Sequence, residues 1–202
     1  MALTIGARRP INFAHILTSI RLILTPIFLN AINASAQQLN AWSIGWVVVL
    51  FLIICASDYY DGPVARALGV SSDIGKVFDN LADITFLLVS LSYLVHCGAV
   101  PWWIPTAIAL AFGQYTVDSW LLSGKGSAVA LVSNPIGHWA GILNYIFTGV
   151  CALHAALQQQ FFPPFLYNAL LTFWLVYLLL AMSMRLRFFV TARRAAATDS
   201  PR

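Results

Sequence analysis

Residues 42–57 read WSIGWVVVLFLIICAS, residues 58–83 read DYYDGPVARALGVSSDIGKVFDNLAD, and residues 84–97 read ITFLLVSLSYLVHC. An apolar run, a carboxylate-bearing stretch and a second apolar run follow one another without a linker. The rest of the chain has the same character. Of its 202 residues, 60% are hydrophobic and only 9% are charged, whereas a soluble domain carries about a quarter charged residues. Apolar runs of roughly 18–25 residues cross a ~30 Å hydrocarbon layer as helices. Six such spans are expected, at about 17–34, 42–57, 78–97, 102–122, 130–156 and 163–184. Pro26 lies inside the first, where neighbouring helices stabilise a kink.

The expected fold is therefore an all-α integral membrane protein with six transmembrane helices and an N-terminal interfacial helix. Residues 1–202 read as a single domain, with 1–16 as a surface-lying arm and 185–202 as a basic cytosolic tail. In that arm the arginines would sit among anionic head groups. A cleaved signal peptide is the rival reading, given Arg8, Arg9 and the Ala34-Ser35-Ala36 triplet. The long positive region, and Arg21 and Pro26 within the apolar run, count against it.

The basic residues order these spans across the membrane. Arg8, Arg9, Arg21, Arg66, Lys76, Lys125, Arg185, Arg187, Arg193, Arg194 and Arg202 fall in the N-terminal arm and the start of the first span, the second and fourth connections and the C-terminal tail. The connections near 35–41, 97–101 and 157–163 have none. This asymmetry places both termini and the aspartate-rich stretch on the cytosolic side, in the inner or plasma membrane of a bacterium. Cys55, Cys97 and Cys151 are odd in number and widely spaced, which fits neither a disulfide framework nor a metal motif.

The chemistry concentrates between residues 58 and 83. All seven acidic residues of the chain are Asp. Asp58 and Asp61 share one helical face, which Gly62 and Ala65 extend, and Arg66 adds a planar fork suited to phosphate or carboxylate. Gly75, Asp79 and Asp83 follow at intervals of four on the next helix. The short connection makes the two helices antiparallel neighbours whose acidic faces converge. Four carboxylates brought that close repel one another unless neutralised, and hard oxygen-liganding cations such as Mg²⁺ meet that need. Solvated helix-end aspartates are the plainer alternative, which four residues paired at helical spacing make hard to sustain.

This pattern, D-x2-D-G-x2-A-R followed by G-x3-D-x3-D, resembles the signature of the CDP-alcohol phosphotransferases, and every fixed position is present: Asp58, Asp61, Gly62, Ala65, Arg66, Gly75, Asp79 and Asp83. The resemblance extends to Leu17-Thr18-x-x-Arg21 and Pro26 upstream. It implies transfer of a phosphatidyl group from CDP-diacylglycerol to a small alcohol with release of CMP, in a homodimeric membrane enzyme. It further implies a Mg²⁺ or Mn²⁺ pair on Asp58, Asp61 and Asp79, with Asp83 completing the second site and serving as general base. Gly62, Ala65 and Gly75 would then make room for the nucleotide and Arg66 would orient motif and phosphates.

The acceptor is less constrained. Glycerol phosphate synthases of the family commonly follow the third aspartate with Pro and the fourth with Lys, where this chain has Asn80 and Ile84. Glycerol 3-phosphate is the favoured acceptor, with inositol phosphate, serine or another alcohol as alternatives. Lys125, Arg185 and Arg187 are candidate ligands for an acceptor phosphate, against the reading that they are membrane anchors. Asp118 reads as a carboxylate paired to Lys125 or reaching the interface. His138 reads as a packing residue, and His15 stands where related enzymes often carry Asn. A small carboxylate-dependent transporter is the rival of a different class, but the carboxylates cluster at one membrane face and no internal repeat is visible. Nothing points to a nucleic-acid partner.

Overall fold

The computed structural model describes residues 13–67, 73–122 and 135–198. These residues form six helices and no strand: α1 (Phe13–Gln37), α2 (Ala41–Ala67), α3 (Asp73–His96), α4 (Trp103–Leu122), α5 (Pro135–Ala156) and α6 (Pro164–Thr198). Five of them, α1, α2, α3, α5 and α6, are long and apolar enough to cross a membrane. The helix α4 occupies the fourth expected span and carries Gln114, Tyr115 and Asp118. The protein is an all-α integral membrane protein.

Helix ends differ from the expected spans because backbone hydrogen bonding continues past the apolar run. The helix α2 carries on through Asp58 and Pro63 to Ala67. Likewise α6 runs unbroken to Thr198, so residues 185–198 extend a helix rather than forming a separate tail. The helix α1 starts at Phe13, inside the segment expected to lie on the surface, and residues 1–12 lie outside the described part.

One end of the bundle is closed by local chemistry. Asn40 caps α2 by accepting the Ser43 N–H at 2.7 Å, and Pro164 opens α6, where a missing N–H costs nothing. Past α3, Gly98 takes a positive φ of 69°. The Gly98 N–H then reaches Val95 O at 2.9 Å and the Ala99 N–H reaches Leu94 O at 2.9 Å, a paired bond set that satisfies the last carbonyls. Gln158, at φ 53°, does the same for α5 without the freedom of glycine. Between helices, Ser35 Oγ donates to Ala156 O at 3.0 Å, Gln158 Nε2 to Ala36 O at 3.1 Å and Tyr167 Oη to Ala99 O at 2.8 Å.

The helix α1 is central: it packs on α2, α3 and α5, while α4 lies outside against α3 and α6. Sequence spacing led to the expectation that α2 and α3 are direct neighbours. Instead, α1 packs against both of them, and direct α2–α3 packing is at most slight among the described residues. Aromatic rings join the inner helices. Phe28 of α1 lies 6.0 Å from Phe51 of α2 and 5.9 Å from Phe86 of α3, and Phe86 stacks at 5.4 Å on Tyr145 of α5. One turn further along α5, Gly149 gives Phe51 its space: a Cβ there would stand 2.5 Å from the ring.

Gly149→Val is therefore expected to destabilise the protein by about 1–3 kcal/mol through overpacking, measured by thermal unfolding in detergent. Phe51→Leu in the same molecule should recover part of the loss. No recovery would place the strain elsewhere than at this ring.

Candidate metal and phosphate site

The site forms where the second apolar run of the sequence gives way to carboxylates. Asp58 sits on α2, and Asp79 and Asp83 sit one turn apart on α3. One ligand oxygen from each lies within 4.8 Å of the other two. Asp61 belongs to α2, but its side chain lies outside the described residues, as do those of Gly62, Ala65 and Arg66. Lys125 falls in the undescribed segment 123–134, and the His15 and His138 side chains are likewise undescribed.

What joins the two helices is Arg21 of α1, which the sequence reading placed only in the entry to the first span. Its side chain is fully buried. Nη2 donates to Asp58 Oδ1 at 2.9 Å, and Nη1 donates to Asp79 Oδ1 at 3.2 Å and to Asp83 Oδ1. The planar fork of arginine suits this: one guanidinium serves three acceptors from fixed directions, where an ammonium offers a single point charge. Next to Pro26, Thr25 Oγ1 donates to Arg21 O at 2.9 Å.

The magnitudes show why the cluster holds together. With the ligand oxygens no more than 4.8 Å apart and an effective dielectric of ~20, each pair of carboxylates repels by at least roughly 3 kcal/mol, and each contact with the guanidinium near 3 Å attracts by roughly 5 kcal/mol. The three attractions offset the mutual repulsion of the carboxylates. Among the described side chains, three carboxylates face one guanidinium, a balance that is net negative. The exposure is one-sided as well: Arg21 is at 0%, while the side chains of Asp58, Asp79 and Asp83 are 33%, 33% and 25% exposed. The cation forms a buried floor and the carboxylates open away from it. An all-oxygen donor set with excess negative charge and open access fits Mg²⁺ or Mn²⁺, with phosphate oxygens or water completing the coordination.

A second residue missed by sequence reading is Tyr145 of α5. It is buried, and its Oη donates to Asp83 Oδ1 at 2.8 Å. No signal local to the sequence marks it, since its role depends on α5 lying beside α3.

The other cationic candidates fare differently. Arg185 lies over the Tyr115 ring at 4.1 Å, pairs with Asp118 Oδ2 at 3.4 Å and donates to Ser119 Oγ at 3.3 Å. Asp118 thus has Arg185 as its ion-pair partner among the described residues. With Gln114 Nε2 donating to Met182 O at 3.1 Å, these contacts make a polar seam between α4 and α6. Arg187 is exposed.

A family model described as CDP-alcohol phosphatidyltransferase matches residues 11–184. The chain is 35% identical over 108 residues to a probable phosphatidylglycerophosphate synthase of Mycobacterium tuberculosis, covering 51% of this chain and 49% of that protein. It is 33% identical over 98 residues to a CDP-diacylglycerol–glycerol-3-phosphate 3-phosphatidyltransferase of Bacillus subtilis, covering 47% and 50%. A putative cardiolipin synthase of Mycobacterium tuberculosis is 32% identical over 95 residues, covering 47% and 43%. These matches span about half the length of each relative.

If Arg21 is the internal counter-charge, Arg21→Gln should cost about 3–5 kcal/mol of stability in EDTA, because three carboxylates lose their only described cation. Added Mg²⁺ or Mn²⁺ should then raise the melting temperature of the variant more than that of the wild type. Equal metal-induced shifts in both proteins would refute this electrostatic role.

Proposed function

Because the chain belongs to the CDP-alcohol phosphatidyltransferase family, we propose that it transfers the phosphatidyl group of CDP-diacylglycerol to a small alcohol and releases CMP. The observation that carries this reading is the convergence of Asp58, Asp79 and Asp83 on the family's signature positions, with surplus negative charge on the open side of the cluster. A Mg²⁺ or Mn²⁺ pair bound by Asp58, Asp61, Asp79 and Asp83 would supply neutralisation of the diphosphate and of charge developing on the leaving oxygen. The chain's own residues do the rest. Gly62, Ala65 and Gly75 leave space for the cytidine nucleotide against the helix backbones, and Arg66 orients the phosphates. Asp83 takes the proton of the acceptor hydroxyl as that oxygen attacks the lipid-side phosphorus. An aspartate is a weak base, so the fixed approach of the two groups has to contribute alongside it.

For the acceptor we favour glycerol 3-phosphate. Two of the similar proteins carry that activity in their names, and an acceptor phosphate has cationic groups to meet it in Lys125, Arg185 and Arg187. Arg185, already held by Asp118 and Tyr115, would act as a fixed group. The distribution of basic residues supports a cytosolic site in a bacterial membrane, with both termini on the same side. A homodimer is the proposed assembly.

Purified protein given CDP-diacylglycerol, Mg²⁺ or Mn²⁺ and single alcohols should release CMP with glycerol 3-phosphate, the lipid product being identified by mass spectrometry. Inositol phosphate, serine and phosphatidylglycerol complete the panel, the last because cardiolipin synthase is among the names of the similar proteins. Absence of CMP with every acceptor would return the transporter reading to consideration. Asp83→Asn should lower turnover by about 10²–10⁴-fold while membrane insertion persists and Asp58, Asp61 and Asp79 still bind metal. Normal turnover in that variant would remove the base assignment.

A further inference from the structure

Asp83 Oδ1 accepts two hydrogen bonds, one from Arg21 Nη1 and one from Tyr145 Oη at 2.8 Å. A carboxylate oxygen has two lone-pair directions in its plane. With both directions engaged on Oδ1, a further O–H finds its acceptor on Oδ2. Tyr145 lies on α5, away from the aspartate motif, and its position is fixed from below. The ring is buried and stacks on fully buried Phe86 at 5.4 Å with 20° between the planes. Phe86 in turn packs against Phe28 of α1, the helix that carries Arg21.

Resting on the assignment of Asp83 as the base, we infer that Tyr145 is a positioning residue for the reaction. Its hydroxyl, with Arg21, pins Oδ1 and so commits Oδ2 to the acceptor. In the step that follows, the acceptor O–H bond breaks and its proton passes to Asp83 Oδ2. The acceptor oxygen bonds to the lipid-side phosphorus, and the bond from that phosphorus to the bridging oxygen breaks. The electron pair of the broken bond leaves on CMP. Tyr145 exchanges no proton; it fixes the rotamer in which Asp83 meets the acceptor hydroxyl.

Tyr145→Phe keeps the stacked ring and removes only the hydroxyl. It is expected to lower kcat about 10-fold, a part of what a positioned base contributes, with KM for CDP-diacylglycerol and acceptor within about twofold of wild type and melting temperature unchanged. In an Asp83→Asn background, where radiolabelled CMP release reads the residual rate, the same change should have no further effect. An undiminished kcat in Tyr145→Phe overturns the inference, as does an equal loss in both backgrounds or a loss confined to KM. Tyr145→Leu serves as the packing control: if it loses melting temperature and rate together while Tyr145→Phe matches wild type, the side chain acts only through its ring. These outcomes are separate from failure of the base assignment, which Asp83→Asn alone decides.

Discussion

A guanidinium buried in a membrane bundle is costly without acceptors, and three carboxylates repel one another without a cation. Arg21 and Asp58, Asp79 and Asp83 meet both needs at once. Removing a charge from water costs several kcal/mol even after relaxation, so a buried arginine is tolerable only where its partners are fixed around it. The pairing therefore constrains three helices together: α1 has to lie between α2 and α3, with residue 21 level with residues 58, 79 and 83. The central place of α1 in the bundle follows from this contact as much as from its apolar face.

The two ends of the bundle solve different problems. At the end bearing Asn40, Gly98 and Gln158, helix caps and neutral hydrogen bonds hold the connections, and among the described residues no Lys or Arg takes part. At the other end, the packing of α1 against α2 and α3 is completed by charge. Between them, the rings of Phe51, Phe28, Phe86 and Tyr145 tie the four inner helices. This aromatic layer is apolar where it faces the core and finishes in one phenolic hydroxyl at the charged cluster. Packing that stabilises the fold is thus continuous with geometry that sets the orientation of Asp83.

Much of the fold was legible in the sequence because hydropathy and helical periodicity are local signals. The near absence of charge, the apolar runs and the placement of basic residues lead to a helical membrane bundle without any knowledge of contacts. The aspartate spacing was equally readable, since residues 58, 79 and 83 announce themselves by type and interval. The role of Arg21 was not: the resemblance marks it in Leu17-Thr18-x-x-Arg21, but its partners lie 37, 58 and 62 residues away. The same limit applies to Tyr145. It explains the error over α2 and α3 too: a short connection implies proximity, but only side-chain contacts reveal that a third helix enters between them. For Asp118 the nearest basic residue in the sequence was expected to be its partner, whereas in the folded chain Arg185 reaches it across α4 and α6.

The division of charge between a buried floor and an open face bears on how a nucleotide-linked lipid would be received. A neutral cluster would have no electrostatic reason to gather divalent cations, and one with three uncompensated carboxylates would be hard to keep folded. Among the described side chains, one guanidinium beneath three carboxylates lies between these extremes, with net negative charge on the exposed side. That surplus repels a diphosphate as well as attracting cations, so on the proposed chemistry cation and CDP-lipid must bind as linked events, each lowering the cost of the other. The linkage does not depend on any contact between Arg21 and substrate. It follows from Arg21 cancelling one charge of three and shielding the carboxylates from one side only.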